Sequence, residues 1–267
     1  MRKLSANLII PVSSPPLKNG IITLDDNGRI LDLVDTGGNL REERGLEFYN
    51  GVIVPGFVIP WFVPGDIPLE KLDKLLLRHG IKGIGLVLSV DKVSDVGFKS
   101  MSTSPIIYHP VIELCPTPDQ EHFEVFNRGI DIVTHAFNTY NLPCSLTACS
   151  PAMNGDMGKL LAEYSSSHEN VSAPAEIPDN PDQILNIPEQ ILNSPEQILN
   201  ILPRMQHPLK GIEKMISAFT LDAAAEIFEE DVLGSIEPGK YPGLNLVSGL
   251  KTNELLVGEK TVLKVLD

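Results

Sequence analysis

Paired histidines are missing from this 267-residue chain. Its six histidines, at 79, 109, 122, 135, 168 and 207, include no His-x-His and no His-x-x-x-His. Those are the spacings that place two imidazoles on one face of a strand or of a helix turn, as a metal site requires. Cysteine is scarce too. Cys115, Cys144 and Cys149 are odd in number and lack Cys-x-x-Cys spacing, which argues against a disulfide framework and against a zinc knuckle. No basic cluster exists: 21 lysines and arginines against 35 acidic residues leave a net charge of −14. Nucleic acid and anionic membrane surfaces both need a basic patch, so neither is expected as a partner. No apolar run approaches the roughly 18 residues of a membrane span. The run Leu8-Ile9-Ile10 is too short for a secretory signal. A reducing cytoplasm is the expected location.

What is present reads as a soluble α/β protein, with 42% hydrophobic and 21% charged residues. The length suffices for one α/β barrel or two modest domains. Both ends look β-rich. Asn7 to Ile10, Gly20 to Leu24 and Arg29 to Val34 are short apolar runs. Asp26-Asn27-Gly28 sits between the last two as a tight hairpin turn. Leu244 to Val247, Glu254 to Val257 and Thr261 to Leu266 have the same texture. The middle alternates. A helix is predicted from Leu69 to Leu77, led by Pro68 and stopped at His79-Gly80. Buried strands follow at Ile81 to Ser89 and Ile106 to Leu114. Phe123, Phe126, Ile130, Val133 and Phe137 then recur at spacings of three and four, an amphipathic helix. Cys144 to Ala148 reads as a strand and Met157 to Tyr164 as a helix. Strands separated by helices imply parallel βα units.

Residues 180 to 202 carry a near-perfect repeat. Pro-Asp-Gln-Ile-Leu-Asn at 181 to 186 returns as Pro-Glu-Gln-Ile-Leu-Asn at 188 to 193 and at 195 to 200. Seven residues are too few for a solenoid unit, and a proline in each copy opposes one long helix. The stretch is read as a duplicated linker before a single helix that starts at Ser194-Pro195-Glu196-Gln197.

Two separated stretches carry a family resemblance. One is Gly51-Val-Ile-Val-Pro-Gly-Phe-Val58, and the other runs from Ile216-Ser-Ala-Phe-Thr-Leu-Asp-Ala-Ala-Ala to Leu233-Gly-Ser-Ile-Glu-Pro-Gly-Lys240. Together they resemble the amidohydrolase superfamily, most closely its deaminase and chlorohydrolase-like branch. The resemblance implies a (β/α)₈ barrel with the chain ends forming a small β-sandwich, and a site at the C-terminal face of the barrel strands. It also implies one or two divalent metals such as zinc or iron, which lower the pKa of a bound water for attack on a C–N or C–Cl carbon.

The implied ligands are not there. The family's first barrel strand ends in Asn-x-His-x-His, where this chain has Ile59, Pro60, Trp61, Phe62 and Val63. Cys149, in Thr147-Ala-Cys-Ser-Pro151, stands where a histidine follows the fourth strand. Val171 to Glu176 keeps a glutamate but no histidine, and no Thr-Asp-Ser follows it. Each βα unit needs about 30 residues, so too little chain remains for the later units.

The expected fold is therefore α/β: an incomplete (β/α) TIM-type barrel over 59 to 235, with a β-sandwich domain from 1 to 58 plus 236 to 267. The expected function is a degenerate amidohydrolase-like protein without metal-dependent hydrolysis, a pseudoenzyme or a binder of a small molecule or partner. No metal or cofactor is expected. An intact relative or a second copy is the partner that an incomplete barrel would call for. The competing reading is an active hydrolase of C–N bonds through a rearranged site. Its candidates are His109, Glu113, Cys149 and Glu176, with Trp61 as a substrate platform. The bland alternatives are a structural histidine, a small apolar cysteine and an indole that fills the space a metal would take.

Overall fold

The computed structural model describes residues 1–64, 67–114, 122–148, 210–249 and 261–266. Cys149, Glu176, the 180–202 repeat and the expected elements Met157–Tyr164 and Glu254–Val257 lie outside those residues. The chain divides into two compact units, one from Met1–Pro60, Lys74–Gly83 and Ile187–Asp267, the other from Trp61–Asp73 and Ile84–Asn186.

Among the described residues, the first unit is built on a seven-stranded sheet. Strands β1 (Arg2–Ile9), β2 (Leu17–Lys18), β3 (Ile21–Leu24), β4 (Ile30–Val34) and β5 (Leu46–Pro55) come from the N-terminal end, and β10 (Leu244–Ser248) and β11 (Val262–Val265) from the C-terminal end. Their order is β11-β10-β5-β1-β3-β4, with β2 also on β1. Strand β1 runs parallel to β5, and β10 runs antiparallel to it. Leu4, Ile9, Ile22, Ile53, Leu246 and Leu266 lie in one buried cluster, so the two ends of the chain share a core. Arg2 reinforces this: its guanidinium donates twice to Glu47 and once to the Leu266 carbonyl. The Arg2 hydrogen bonds, followed by that of Tyr49, hold the Glu47 carboxyl down at about 2. The expected sandwich requires two packed layers, whereas among the described residues the strand pairing joins the ends in one sheet.

The β3–β4 turn differs from the predicted tight hairpin. Only Gly28 has a positive φ, of 87°. Gly28 N donates to the Asp25 carbonyl, and the Asp25 carboxylate accepts from the backbone N of Asn27 and Arg29. The register shifts between Thr23 and Leu24. This is a turn closed by a left-handed glycine and a bulge rather than a two-residue loop with both φ angles positive.

A second sheet has the order β6-β7-β8-β9, from Phe57–Phe62, Ile81–Ser89, Ile107–Leu114 and Ser145–Ala148. Strands β8 and β9 are parallel, as the helix between them requires. Helices α1 (Leu69–Arg78), α2 (Asp95–Ser102) and α3 (His122–Tyr140) fall between successive strands. Among the described residues this sheet is open, with β6 and β9 at its edges; no closed barrel is present in them. No described helix is long and apolar enough to cross a membrane. Helices α4 (Lys210–Ala218) and α5 (Leu221–Glu226) precede β10.

Two glycines fix the first unit around the start of β6. Gly80 ends α1 with φ +70°, a left-handed cap, and its carbonyl accepts from Asn245 Nδ2 at 2.8 Å. Gly56 lies between β5 and β6, and its N–H faces the carbonyls of Pro242 and Gly243 at 3.2 and 3.0 Å. A Cβ on Gly56 would sit 2.5 Å from the Pro242 carbonyl oxygen, which is backbone and cannot step aside. Gly97, inside α2, has only the Ser94 hydroxyl nearby, at 3.5 Å from an added Cβ. Gly56→Ala is therefore expected to lose about 3 kcal/mol or more of stability, while Gly97→Ala gains up to about 1 kcal/mol. Urea unfolding of the two variants beside wild type checks both signs.

Candidate functional site

The second unit has a cavity of about 460 Å³ at the C-terminal ends of β6, β7 and β8. That end is where barrel enzymes place their chemistry, because the βα loops converge there. Trp61 and Val63 enter the lining from the end of β6, Leu86 and Leu88 from β7, and Glu113 from the next-to-last position of β8. Phe98 and Met101 close one side from α2. Helix α2 was missed in the sequence because it is eight residues long and has Gly97 inside it. Its readable signals are Ser94, whose hydroxyl accepts from Gly97 N at 3.3 Å, and the three-residue spacing of Phe98 and Met101.

The walls are mostly apolar. Trp61 is buried to 6% exposure and is the only tryptophan in the chain. The charged lining residues are Glu113, half-buried, and Lys92, exposed in the loop after β7. The Glu113 backbone carbonyl accepts from Val90 N at 3.2 Å and so holds that loop against β8. Among the described residues, the Glu113 carboxylate has neither a hydrogen bond nor an ion pair.

The candidate residues separate. Trp61 and Glu113 share the cavity. His109 does not line it. Four residues earlier on β8, it is about 13 Å further down the strand, near the end opposite the expected site. It is 2% exposed, and its Nε2 lies 2.6 Å from the hydroxyl of Ser145, the first residue of β9. Burial lowers its pKa from 6.5 to about 4, so its imidazole is neutral near pH 7. It lies in the layer below the cavity, as a packed and hydrogen-bonded side chain. Nearby, the Asp73 carboxylate accepts from Tyr108 Oη at 2.7 Å and from Ser104 Oγ at 2.9 Å. Burial, then the Asp73 contact, drives the Tyr108 phenol well above its ordinary range. Cys144 is buried and its thiol is pushed up to about 12 by that burial, so it is no nucleophile.

A metal ion implied by the family resemblance fits poorly at the end of β6. The Trp61 indole and the Val63 isopropyl group offer no lone pair to a cation. Among the described residues, no three His, Cys, Asp or Glu side chains come together as a metal set.

No protein-family model and no curated protein matches the sequence. Solved structures do match. The chain is similar to an adenosine deaminase from Xanthomonas campestris with bound zinc, at 13% identity and TM-score 0.52, over 92% of this chain and 84% of that one. It is similar to E. coli guanine deaminase at 12% identity and TM-score 0.52, over 92% and 88%. The shared feature is the fold. Helicobacter pylori aminofutalosine deaminase, in complex with methylthio-coformycin, also matches at 12% identity and TM-score 0.44 over 62% of this chain. The chain spans 49% of that protein's length.

The buried histidine makes a pH prediction. Its folded pKa lies below the unfolded value, so the unfolded state binds the extra proton between about pH 4 and 6.5. Stability from this source is full above that window and falls as pH drops through it, by up to about 3 kcal/mol. The stability advantage of wild type over His109→Gln, measured by urea unfolding, should shrink from pH 7 to pH 4. Curves that stay parallel would contradict the burial argument.

Proposed function

We propose that the chain binds a small organic molecule in the Trp61–Glu113 cavity and carries out no metal-dependent hydrolysis there. One observation carries this reading. The positions at which the resembled family supplies its first two metal ligands are held by Trp61 and Val63, and both line the cavity. The cavity's volume lies within the range of small-molecule sites, and its mix of apolar wall and few polar groups is typical of them. Trp61 offers a broad, rigid face of low conformational cost.

The second reading is a deaminase-like hydrolase of C–N bonds with a rearranged site. It is favoured by the two fold neighbours, both deaminases. Weighing against it is His109, whose Nε2 is engaged by Ser145 away from Glu113's end of β8. Shared architecture does not carry chemistry with it.

A single tryptophan inside the cavity makes a direct test available. Titration of the full chain with a panel of nucleobases, nucleosides and small amides, followed by Trp61 fluorescence, should give a saturable change with at least one class of compound. Ammonia release from the same mixtures should stay at background. Turnover that survives purification and is lost in Glu113→Gln would instead establish the second reading.

A further inference from the structure

Within the proposed binding function, on which this inference rests, the ligand's charge can be read from the cavity. We infer that the Trp61–Glu113 cavity takes an organic cation: an apolar or aromatic body bearing one ammonium or protonated nitrogen.

Glu113 is half-buried in a mostly apolar wall that includes Trp61, Leu86, Leu88, Phe98 and Met101. A carboxylate so placed loses part of its hydration, and that loss is offset only by a counter-charge or by hydrogen-bond donors. Elsewhere in the second unit a carboxylate is supplied with such partners. Asp73 has Tyr108 and Ser104, and Asp91 has Arg128 Nη1 at 2.6 Å. The Glu113 carboxylate has no such partner among the described residues. A ligand ammonium in the cavity would supply one, as a charge-assisted hydrogen bond.

Two further features point the same way. Trp61 presents the aromatic side chain with the strongest attraction for a cation over its face. The chain's net charge of −14 draws cations toward it and repels anions. Lys92, the other charged residue of the lining, is exposed, so its ammonium keeps its water and competes weakly. An anionic ligand would need Lys92 as its anchor and would meet Glu113 as a like charge. A neutral ligand would leave Glu113 as it stands.

Three probes that differ only in the terminal group separate these cases: 2-phenylethylammonium, 2-phenylethanol and 3-phenylpropanoate, each titrated against Trp61 fluorescence of the full chain. The ammonium should bind about tenfold or more tightly than the alcohol, and the propanoate weakest. Glu113→Gln should bring ammonium and alcohol to within about twofold of each other while alcohol binding persists, which also shows that the variant is folded. Lys92→Met should leave the order unchanged. An alcohol or propanoate that binds at least as well as the ammonium overturns the cation inference and leaves small-molecule binding standing. So does a preference that survives Glu113→Gln, or ammonium binding that disappears in Lys92→Met. Failure of all three probes to perturb Trp61, with wild-type circular dichroism intact, overturns the inference; failure of the nucleobase and amide panel as well overturns the binding function.

Discussion

Everything in the first unit converges on a close approach of backbone to backbone at Gly56. Its N–H faces the carbonyls of Pro242 and Gly243, and no side chain fits between them. One residue on, Phe57 N donates to the Gly80 carbonyl, the same oxygen that accepts from Asn245 Nδ2. Val58 N then donates to the Phe219 carbonyl at 2.8 Å. The N-terminal strands, the end of α1, the α4–α5 connection and β10 are thereby tied to three consecutive residues. The two sequence motifs thus meet in space. The second unit lies between them in sequence, and residues of both serve one junction. The second motif is structural in the same sense: Lys240 Nζ binds the Glu230 carbonyl, Ser235 Oγ and the Glu237 carboxylate.

Beyond that junction, β6 continues to Trp61 and Phe62, both buried. Here the chain lines the cavity with the Trp61 indole and, just beyond β6, the Val63 side chain. An imidazole pair would have had to be solvated or metallated at this place. The buried Trp61 indole instead lines a cavity that also holds the Glu113 carboxylate. Under the proposed reading, Trp61 and Glu113 supply shape and charge and no metal-activated water is used. Binding and hydrolysis are separable properties of this architecture.

The sequence made much of this legible. Strand β7 matches its apolar run from Ile81 to Ser89, and β8 starts one residue later than read. Helix α1 ends at the glycine cap that His79-Gly80 announced, and α3 spans the periodic phenylalanines and isoleucine. What could not be read had physical reasons. Strand β5 begins at Leu46, five residues before the apolar run, because Leu46 to Tyr49 pair with β1 while alternating partly exposed side chains. Helix α2 was hidden by its brevity, and with it Phe98 and Met101. His109 sits at the third position of β8 and Glu113 at the seventh, so one strand carries them at different heights. Its i, i+4 relation to Glu113 hid a full strand layer between them. Trp61 and Glu113, 52 positions apart in sequence, come together only through the β6-β7-β8 order.

Binding without metal chemistry at the end of β6 is decided by elemental analysis of the purified full chain, paired with hydrolysis assays before and after chelation. Zinc and iron well below one equivalent, with no chelator-sensitive turnover, are expected. One equivalent of either metal, with turnover lost on chelation and restored on readdition, would contradict it.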